Sequence, residues 1–239
     1  NKNLKRWRYA KTKIVAGNSL LSKRPVIFAP DVWPTYYSKA KGISVWDMEN
    51  NKYDDFSLMG VGTNTLGYAN SEVDKKVIDA IKKSNMSTLN NYEEVLLAEK
   101  LLNLHRWAGK AKFARSGAEA NTVALRIARC NTDKQNVAIC GYHGWHDWYL
   151  SSNMSSRSKL DKHLLKGLNV KGVNKSLKNT CFPFDYNSVG QLENLIKYKK
   201  IGIIFMEVSR NFKPKNNFFK KIQNLVKKNN LILIFDECT

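Results

Sequence analysis

The residues best suited to chemistry in this sequence are acidic side chains that follow buried strands. The apolar segment Leu231–Phe235 runs directly into Asp236 and Glu237, and Glu207 follows the apolar segment Ile201–Met206 in the same way. A carboxylate at the end of a buried strand loses hydration, so it needs a partner that compensates its charge. A protonated pyridine nitrogen is one such partner, and a lysine, an arginine or a metal ion is another.

A second candidate site is the start of a predicted helix at Ser116. Ser116 can cap the helix, and Glu119, three residues further on, completes a capping-box pattern. The small residues Gly117 and Ala118 leave backbone N–H groups open in the first turn, where the helix dipole also favours an anion. The pattern therefore fits a phosphate-binding helix start, although an ordinary capped helix without a ligand has the same features.

The third candidate is the glycine- and aromatic-rich segment Gly141–His146, directly after a predicted strand. Its glycines free the backbone, and the ring of Tyr142 between them can lie flat against a planar ligand. Two alternatives remain open. One is a metal site that uses His143, His146 and Asp147, for which no nearby cysteine completes a usual ligand set. The other is an aromatic-rich loop that simply packs on the core.

The elements that must position these residues alternate between strand and helix. Strands are predicted at Ile43–Asp47, Tyr53–Leu58, Val137–Cys140, Ile201–Met206 and Leu231–Phe235, and helices near 73–81, 92–102, 116–130, 189–196 and 218–226. Apolar strands separated by amphipathic helices predict an α/β fold, with a mostly parallel sheet covered by helices on both faces. In such a sheet ligands bind beyond the carboxyl ends of the strands.

Two other features concern the connections. Residues 1–42 are predicted to be irregular because Pro25, Pro30 and Pro34 interrupt any element, and the polar residues 151–180 are predicted to be mostly loop. Ser188 is predicted to cap the helix that follows it.

Composition limits the function classes. The formal charge is +20 with an isoelectric point near 9.8, but the excess is mostly lysine and is spread along the chain, with modest clusters at 162–178 and 213–228. Nucleic-acid readers favour arginine forks and interleaved aromatics, so the pattern disfavours nucleic-acid binding as the main function. No apolar run approaches the roughly 18 residues of a membrane span, and no signal-peptide pattern is present. We therefore expect a protein that is not embedded in a membrane.

The cysteines point to the compartment. The four cysteines form no CxxC pair and no metal-like spacing. This usage fits a reducing compartment, and a cytoplasmic location is expected. No metal site is expected from the cysteines.

Taken together and in this order, the motifs resemble the class III aminotransferases of the type I pyridoxal-phosphate (PLP) fold. Within that class the sequence looks most like the glutamate-1-semialdehyde 2,1-aminomutase branch. The resemblance also includes a front hairpin from Gly42 to Asp55 and a turn at Leu66–Tyr68. It implies a PLP-dependent enzyme that moves an amino group on a small amino, keto or aldehyde substrate.

The resemblance also implies roles for single residues. Gly117 and Ala118, with Ser116 beside them, would hold the cofactor phosphate through backbone amides. Tyr142 would stack on the pyridine ring, and His143 would help to fix that loop or the ring.

On the strand ends, the resemblance makes Asp236 the partner of the pyridine nitrogen, a catalytic role because the protonated ring acts as an electron sink. Cys238 would pack on the other ring face, where the family usually has valine, and Glu207 would line the substrate side as a second catalytic residue. The sequence departs from its relatives at Ala118, where many have a hydroxyl residue, and at Val61, where the aminomutase branch usually has tryptophan.

The resemblance finally sets expectations for the whole protein. The lysine that binds the cofactor is expected some tens of residues after Asp236, beyond Thr239, so this chain is expected to be an amino-terminal fragment. Residues 1–68 would form an arm or part of a small domain with the hairpin, and residues 69–239 the PLP-binding large domain, incomplete at its carboxyl end. A homodimer is expected. Two hypotheses from other function classes remain open: a catalytically inactive remnant, and a basic binding module built on the same fold.

Overall fold

The structure is a computed structural model that describes residues 2–57, 59–60, 62–154, 169–209 and 211–238. It forms two compact units, Asn1–Leu97 and Ala98–Thr239. Val61 and Leu58 lie outside the described residues, as does much of the lysine-rich part of 151–180. The division at residue 68 into an arm and a cofactor domain stays a prediction.

The first unit begins with a helix that was not predicted. Its elements are α1 (Lys2–Lys13), short 3₁₀ turns at Val15–Gly17 and Leu21–Lys23, α2 (Pro25–Phe28), β1 (Tyr37–Lys41), β2 (Ser44–Asp47), β3 (Lys52–Asp54), α3 (Ser71–Lys83) and the first part of α4 (Glu93–Leu104). The prediction that residues 1–42 are irregular was wrong, because α1 ends well before the first proline and is rich in lysine and arginine, which are good helix formers. Pro25 itself begins α2, where its missing N–H costs no helical hydrogen bond.

The predicted hairpin is confirmed as the antiparallel pair of β2 and β3, and β1 pairs with the other edge of β2. Asn50 in the turn has a left-handed backbone with a φ of 64°, as asparagine permits. The Asp47 carboxylate fixes the turn by accepting hydrogen bonds from the N–H groups of Glu49 (2.8 Å) and Asn51 (2.9 Å).

The turn at Leu66–Tyr68 lies against this same sheet. Gly42 and Tyr68 exchange two backbone hydrogen bonds of 2.9 and 2.8 Å. The Tyr68 hydroxyl donates to Asp55 at 2.6 Å. Burial and then the Asp55 carboxylate raise the pKa of Tyr68 to about 12, so this hydroxyl keeps its proton.

The second unit alternates helices and strands as predicted. Its elements are the end of α4, then α5 (Gly117–Cys130), β4 (Asn136–Cys140), α6 (Asp147–Leu150), 3₁₀ turns at Ser151–Met154 and Lys175–Leu177, β5 (Cys181–Pro183), α7 (Val189–Tyr198), β6 (Ile201–Glu207), α8 (Phe218–Asn229) and β7 (Ile232–Asp236). The elements β5 and α6 were not predicted, because three or four residues are too few to establish a period. Ser188 precedes α7 as predicted, but its side chain makes no capping hydrogen bond. No helix in the described part of the chain is long and apolar enough to cross a membrane.

The four strands of this unit form a parallel sheet in the order β5-β4-β6-β7. Side chains alternate along β6, so that Ile204 packs with Leu192 and Phe218 of α7 and α8, while Phe205 packs with Leu125 and Trp148 of α5 and α6. All residues of β6 are buried. The predicted α/β architecture, with helices on both faces of a parallel sheet, is confirmed.

Candidate cofactor site

The carboxyl ends of β4, β6 and β7 lie side by side at one edge of the sheet. Cys140 is opposite Met206, and Glu207 is opposite Asp236. Both acidic residues are buried, with 5% of Glu207 and 8% of Asp236 exposed. The two acids predicted from the strand ends therefore occupy neighbouring positions at the edge where open α/β sheets bind ligands.

The Asp236 carboxylate is held by donors from three segments. Its Oδ2 accepts a hydrogen bond from Asn121 Nδ2 (2.8 Å) and lies 3.0 Å from His143 Nδ1, and its Oδ1 accepts from the N–H of Cys238 (3.1 Å). Burial alone would raise the pKa of Asp236, but the hydrogen bonds from His143 and Asn121 outweigh it and lower the pKa overall. A carboxylate has about four acceptor positions, so this ionised group retains capacity for a further donor beside the three described.

His143 is completely buried and contacts the site through Asp236. Its ring lies 4.7 Å from the ring of Phe205, 5.7 Å from that of Tyr149 and 6.4 Å from that of Trp148, measured between centroids. Because an ionised carboxylate can only accept hydrogen bonds, Nδ1 of His143 carries the proton that they share. The other ring nitrogen, Nε2, has no hydrogen-bond partner among the described residues.

At the start of α5, several backbone N–H groups have no acceptor among the described residues. The Ser116 hydroxyl caps the helix by accepting from the N–H of Glu119 (3.3 Å), as predicted. The Glu119 carboxylate, however, accepts from the N–H of Arg115 (2.9 Å) and not from that of Ser116, which the capping-box pattern predicted. No hydrogen bond is described for the consecutive N–H groups of Ser116, Gly117 and Ala118, since the first N–H groups of a helix have no acceptor within it.

Close packing brings this helix start to the other two predicted clusters. A Cβ atom added to Gly117 would lie 3.5 Å from Cys238 Sγ. A Cβ atom on Gly144, whose φ is +97°, would lie only 2.7 Å from the Cβ of Ala118. The first turn of α5, the loop after β4 and the segment after β7 therefore meet at one place.

Glu207 contacts the loop after β4. Its Oε2 accepts a hydrogen bond from the N–H of Tyr142 (3.2 Å), and a Cβ atom on Gly141 would overlap the Glu207 carboxylate. The ring of Tyr142 is partly buried and meets the ring of Tyr149 edge to face at 5.9 Å. Burial, and then the charge of Glu207, raise the pKa of Cys140 to about 12.

Two polar residues of α5, which were not predicted, form hydrogen bonds to the loop after β4. Asn121 Nδ2 donates to Asp236 and also to the backbone carbonyl of His143 (3.3 Å). The Thr122 hydroxyl bonds to the carbonyl of Ala118 (2.9 Å), accepts from Trp148 Nε1 (3.1 Å) and lies 2.6 Å from a ring nitrogen of His146.

The sequence contained a signal for these two residues. Ala118, Asn121, Thr122 and Leu125 have the spacing of one helical face, and Ala118 and Leu125 are buried. Polar residues on an otherwise buried face indicate specific hydrogen-bond partners.

The alternative of a metal site at residues 143–147 depends on two histidines that have separate partners. His143 Nδ1 faces Asp236 and His146 Nδ1 faces Thr122. Across the described ranges, no group of three or more histidine, cysteine and acidic side chains could hold a metal ion.

With this geometry established, comparison with known proteins identifies the family. The model of the family described as aminotransferase class-III matches residues 27–239. The chain belongs to the class-III aminotransferase family.

The curated relatives described here are about twice as long as the chain. It is 30% identical over 234 residues to 3-aminobutyryl-CoA aminotransferase of Cloacimonas acidaminovorans, which covers 94% of the chain and 52% of that protein. It is 31% identical over 219 residues to glutamate-1-semialdehyde 2,1-aminomutase of Sulfolobus acidocaldarius, covering 89% of the chain and 51% of that protein. The chain thus spans about half the length of these relatives.

Solved structures of other proteins share the fold of this chain. The FumI protein of Sphingopyxis sp. MTA144, in its PLP internal aldimine form, matches 98% of the chain and 54% of its own length with a TM-score of 0.81 at 20% identity. A glutamate-1-semialdehyde aminomutase of Pseudomonas aeruginosa PAO1 matches 99% and 51% with a TM-score of 0.76 at 18% identity. The predicted type I PLP-dependent transferase fold is therefore confirmed for this class-III aminotransferase chain.

Proposed function

We propose that this chain supplies the PLP-binding half of an aminotransferase or aminomutase that moves an amino group on a small amino, keto or aldehyde substrate. The observation that carries the proposal is the contact between α5 and the ionised Asp236 carboxylate through Asn121. Asn121 lies one helical turn, about 6 Å along the axis, from Gly117. A set of anion-binding amides and a fixed negative charge are thus close enough for one small, phosphorylated, cationic ring to meet both.

The helix start fits the phosphate group of PLP. The N–H groups of Ser116, Gly117 and Ala118 have no described acceptor, and they lie at the positive end of the α5 dipole. The hydroxyl of Ser116 adds a further donor. Because Ala118 offers no hydroxyl of its own, the grip on the phosphate would depend chiefly on backbone amides.

The strand end fits the ring. Asp236 is ionised, has capacity for one more donor, and would hold a pyridine nitrogen in its protonated form. When bound, PLP with a protonated ring withdraws electrons from the carbon that bears the amino group and makes its proton acidic. Tyr142 and Cys238 would contact the two ring faces. His143 would act on the ring indirectly, through its hydrogen bond to Asp236.

Glu207 would face the substrate side. Its carboxylate is already engaged with the N–H of Tyr142, so we propose that it holds the loop after β4 as well as lining the pocket. The cofactor lysine is expected some tens of residues after Asp236 in the full-length protein. A homodimer in the cytoplasm, as the family resemblance implies, completes the proposal.

The binding test uses the purified full-length protein, titrated with PLP and with pyridoxal, which lacks the phosphate. We expect PLP to bind more tightly than pyridoxal, with a change in near-ultraviolet and visible absorbance. Asp236→Asn should weaken PLP binding by about tenfold or more, because it removes a charge-assisted hydrogen bond. Asp133→Asn, the same change at an exposed position of the second unit, should leave binding unchanged. Equal affinity for PLP and pyridoxal, or an unaffected Asp236→Asn variant, would reject the proposal.

The reaction test distinguishes the two outcomes of amino transfer. The PLP-bound protein is incubated with glutamate-1-semialdehyde alone, or with 3-aminobutyryl-CoA together with a keto acid. Each amino substrate carries a heavy-nitrogen label. Label that moves to the neighbouring carbon of the same skeleton indicates an aminomutase, and label that appears in a new amino acid indicates a transaminase. No movement of label with either substrate or with simple amino acids would exclude the proposed activity.

A further inference from the structure

Asn121 bridges two segments of the site with a single amide group. Its Nδ2 atom donates to Asp236 Oδ2 at 2.8 Å and to the backbone carbonyl of His143 at 3.3 Å. The –NH₂ group has two hydrogens, and both are directed at acceptors. Rotating the amide by half a turn would bring its oxygen against a carboxylate and a carbonyl, so the observed orientation is the only favourable one.

The contacts form a closed ring of hydrogen bonds. His143 Nδ1 meets the same Oδ2 atom of Asp236 that Asn121 meets, at 3.0 Å. The three residues come from α5, from the loop after β4 and from the end of β7. Without Asn121, His143 would be the one described donor left on Oδ2, and the backbone carbonyl of His143 would lose its described hydrogen bond to α5.

We propose that Asn121 is a positioning residue that fixes the orientation of the Asp236 carboxylate and ties the His143 loop to α5. Its effect on Asp236 is a property of the protein alone. Its effect on cofactor binding rests on the proposed function, in which Asp236 meets the ring of PLP.

The groups around the Asp236 carboxylate determine how a substitution of Asn121 would change its pKa. The carboxylate is contacted by His143 from the loop after β4, by Asn121 from α5 and by the N–H of Cys238 from its own segment, and Glu207 is its neighbour across the strand pair. The hydrogen bond from Asn121 helps to hold the pKa of Asp236 down against burial, which raises it. Removing this donor therefore favours the protonated acid.

The first test measures Asp236 directly in the protein without cofactor. The pKa of its carboxyl group is followed by NMR with carbon-labelled aspartate in wild type, Asn121→Ala and Asn121→Asp. We expect it to rise in Asn121→Ala and further in Asn121→Asp, which places a second carboxylate beside the first. The control is Asn131→Ala, because Asn131 lies at the other end of α5 and donates within the helix to Ile127. Unchanged values in both Asn121 variants would overturn the inference.

The second test separates positioning from a general loss of structure. Asn121→Ala should weaken PLP binding by about tenfold, while the ratio of PLP to pyridoxal affinity stays as in wild type, because the phosphate amides are untouched. A fall in that ratio would show that the helix start is disturbed and would count against the assigned role. If wild type bound no PLP but the pKa of Asp236 still rose in the variants, the proposed function would fail and the positioning role would stand. If PLP bound wild type and Asn121→Ala equally, the positioning role would fail alone.

Discussion

Asp236 Oδ2 lies 3.0 Å from His143 Nδ1, although 93 residues separate the two along the chain. The contact joins the end of β7 to the loop after β4, in surroundings where His143 has no exposed surface and Asp236 almost none. Burying a charge is costly. A buried carboxylate with a perturbed pKa at the edge of a sheet is therefore a candidate functional group.

The depressed pKa of Asp236 should appear in the pH dependence of stability. Its pKa is lower in the folded than in the unfolded chain, where it is about 3.9. The carboxylate therefore stabilises the fold above about pH 4, and this contribution is lost as the pH falls through the folded-state pKa. In denaturant unfolding at a series of acid pH values, we expect the free energy of unfolding to fall less steeply in Asp236→Asn than in wild type. Asp47 and Asp55, whose pKa values are also lowered, affect both proteins equally, so parallel curves would contradict the prediction.

The close approach of Gly144 to Ala118 predicts a difference between two glycine substitutions. Gly144 and Gly172 have almost the same backbone φ, +97° and +96°, but nothing lies within 4 Å of a Cβ added to Gly172. Gly172→Ala should cost about 1–2 kcal/mol of unfolding free energy through backbone strain alone. Gly144→Ala should cost about 1–3 kcal/mol more, since its methyl group must displace Ala118. Equal losses in chemical denaturation would show that α5 does not pack against the loop as described.

The Thr122 hydroxyl is predicted to stabilise the packing of Trp148 against the rings of His143 and Phe205. Thr122→Val keeps the shape of the side chain but leaves the buried indole N–H of Trp148 without its described acceptor. We expect a loss of about 1–3 kcal/mol in unfolding free energy. Thr122→Ser keeps the hydroxyl and should cost about 1 kcal/mol or less for the missing methyl group. The measurement is urea unfolding followed by tryptophan fluorescence, and a Thr122→Ser variant as unstable as Thr122→Val would contradict the role of the hydroxyl.

Cysteine labelling should report on the site without any assay of activity. Cys140 and Cys181 are buried and burial raises the pKa of each to about 12, so a thiol reagent near pH 8 should leave them unmodified in the native protein. Cys130 and Cys238 are exposed and should react. If Cys238 contacts the cofactor as proposed, PLP should slow its labelling and leave that of Cys130 unchanged, as measured by peptide mass spectrometry. Labelling of Cys238 that is insensitive to saturating PLP would argue against this placement.

The sequence by itself determined the alternation of strands and helices in the second unit. Elements such as β6 and α5 are long enough for a local apolar period and a cap to specify them, because these signals involve residues only a few positions apart. The prediction was wrong for α1, because the prolines that interrupt regular structure begin at Pro25, after this helix has ended at Lys13. It also failed for β5 and α6, because three or four residues are too few to establish a period.

The candidate site divides in the same way. The position of Asp236 and Glu207 after buried strands was enough to predict that they lie at the ligand-binding edge of the sheet. The glycines on both sides of Tyr142 and His143 were enough to predict a loop there. Which donor would meet the Asp236 carboxylate could not be predicted, because Asn121 is 115 residues away and only the strand register and the packing of α5 bring it there. Local chemistry thus specified the acids and the helix start, whereas the hydrogen-bond ring of Asn121, His143 and Asp236 depends on long-range contacts that exist only in the folded chain.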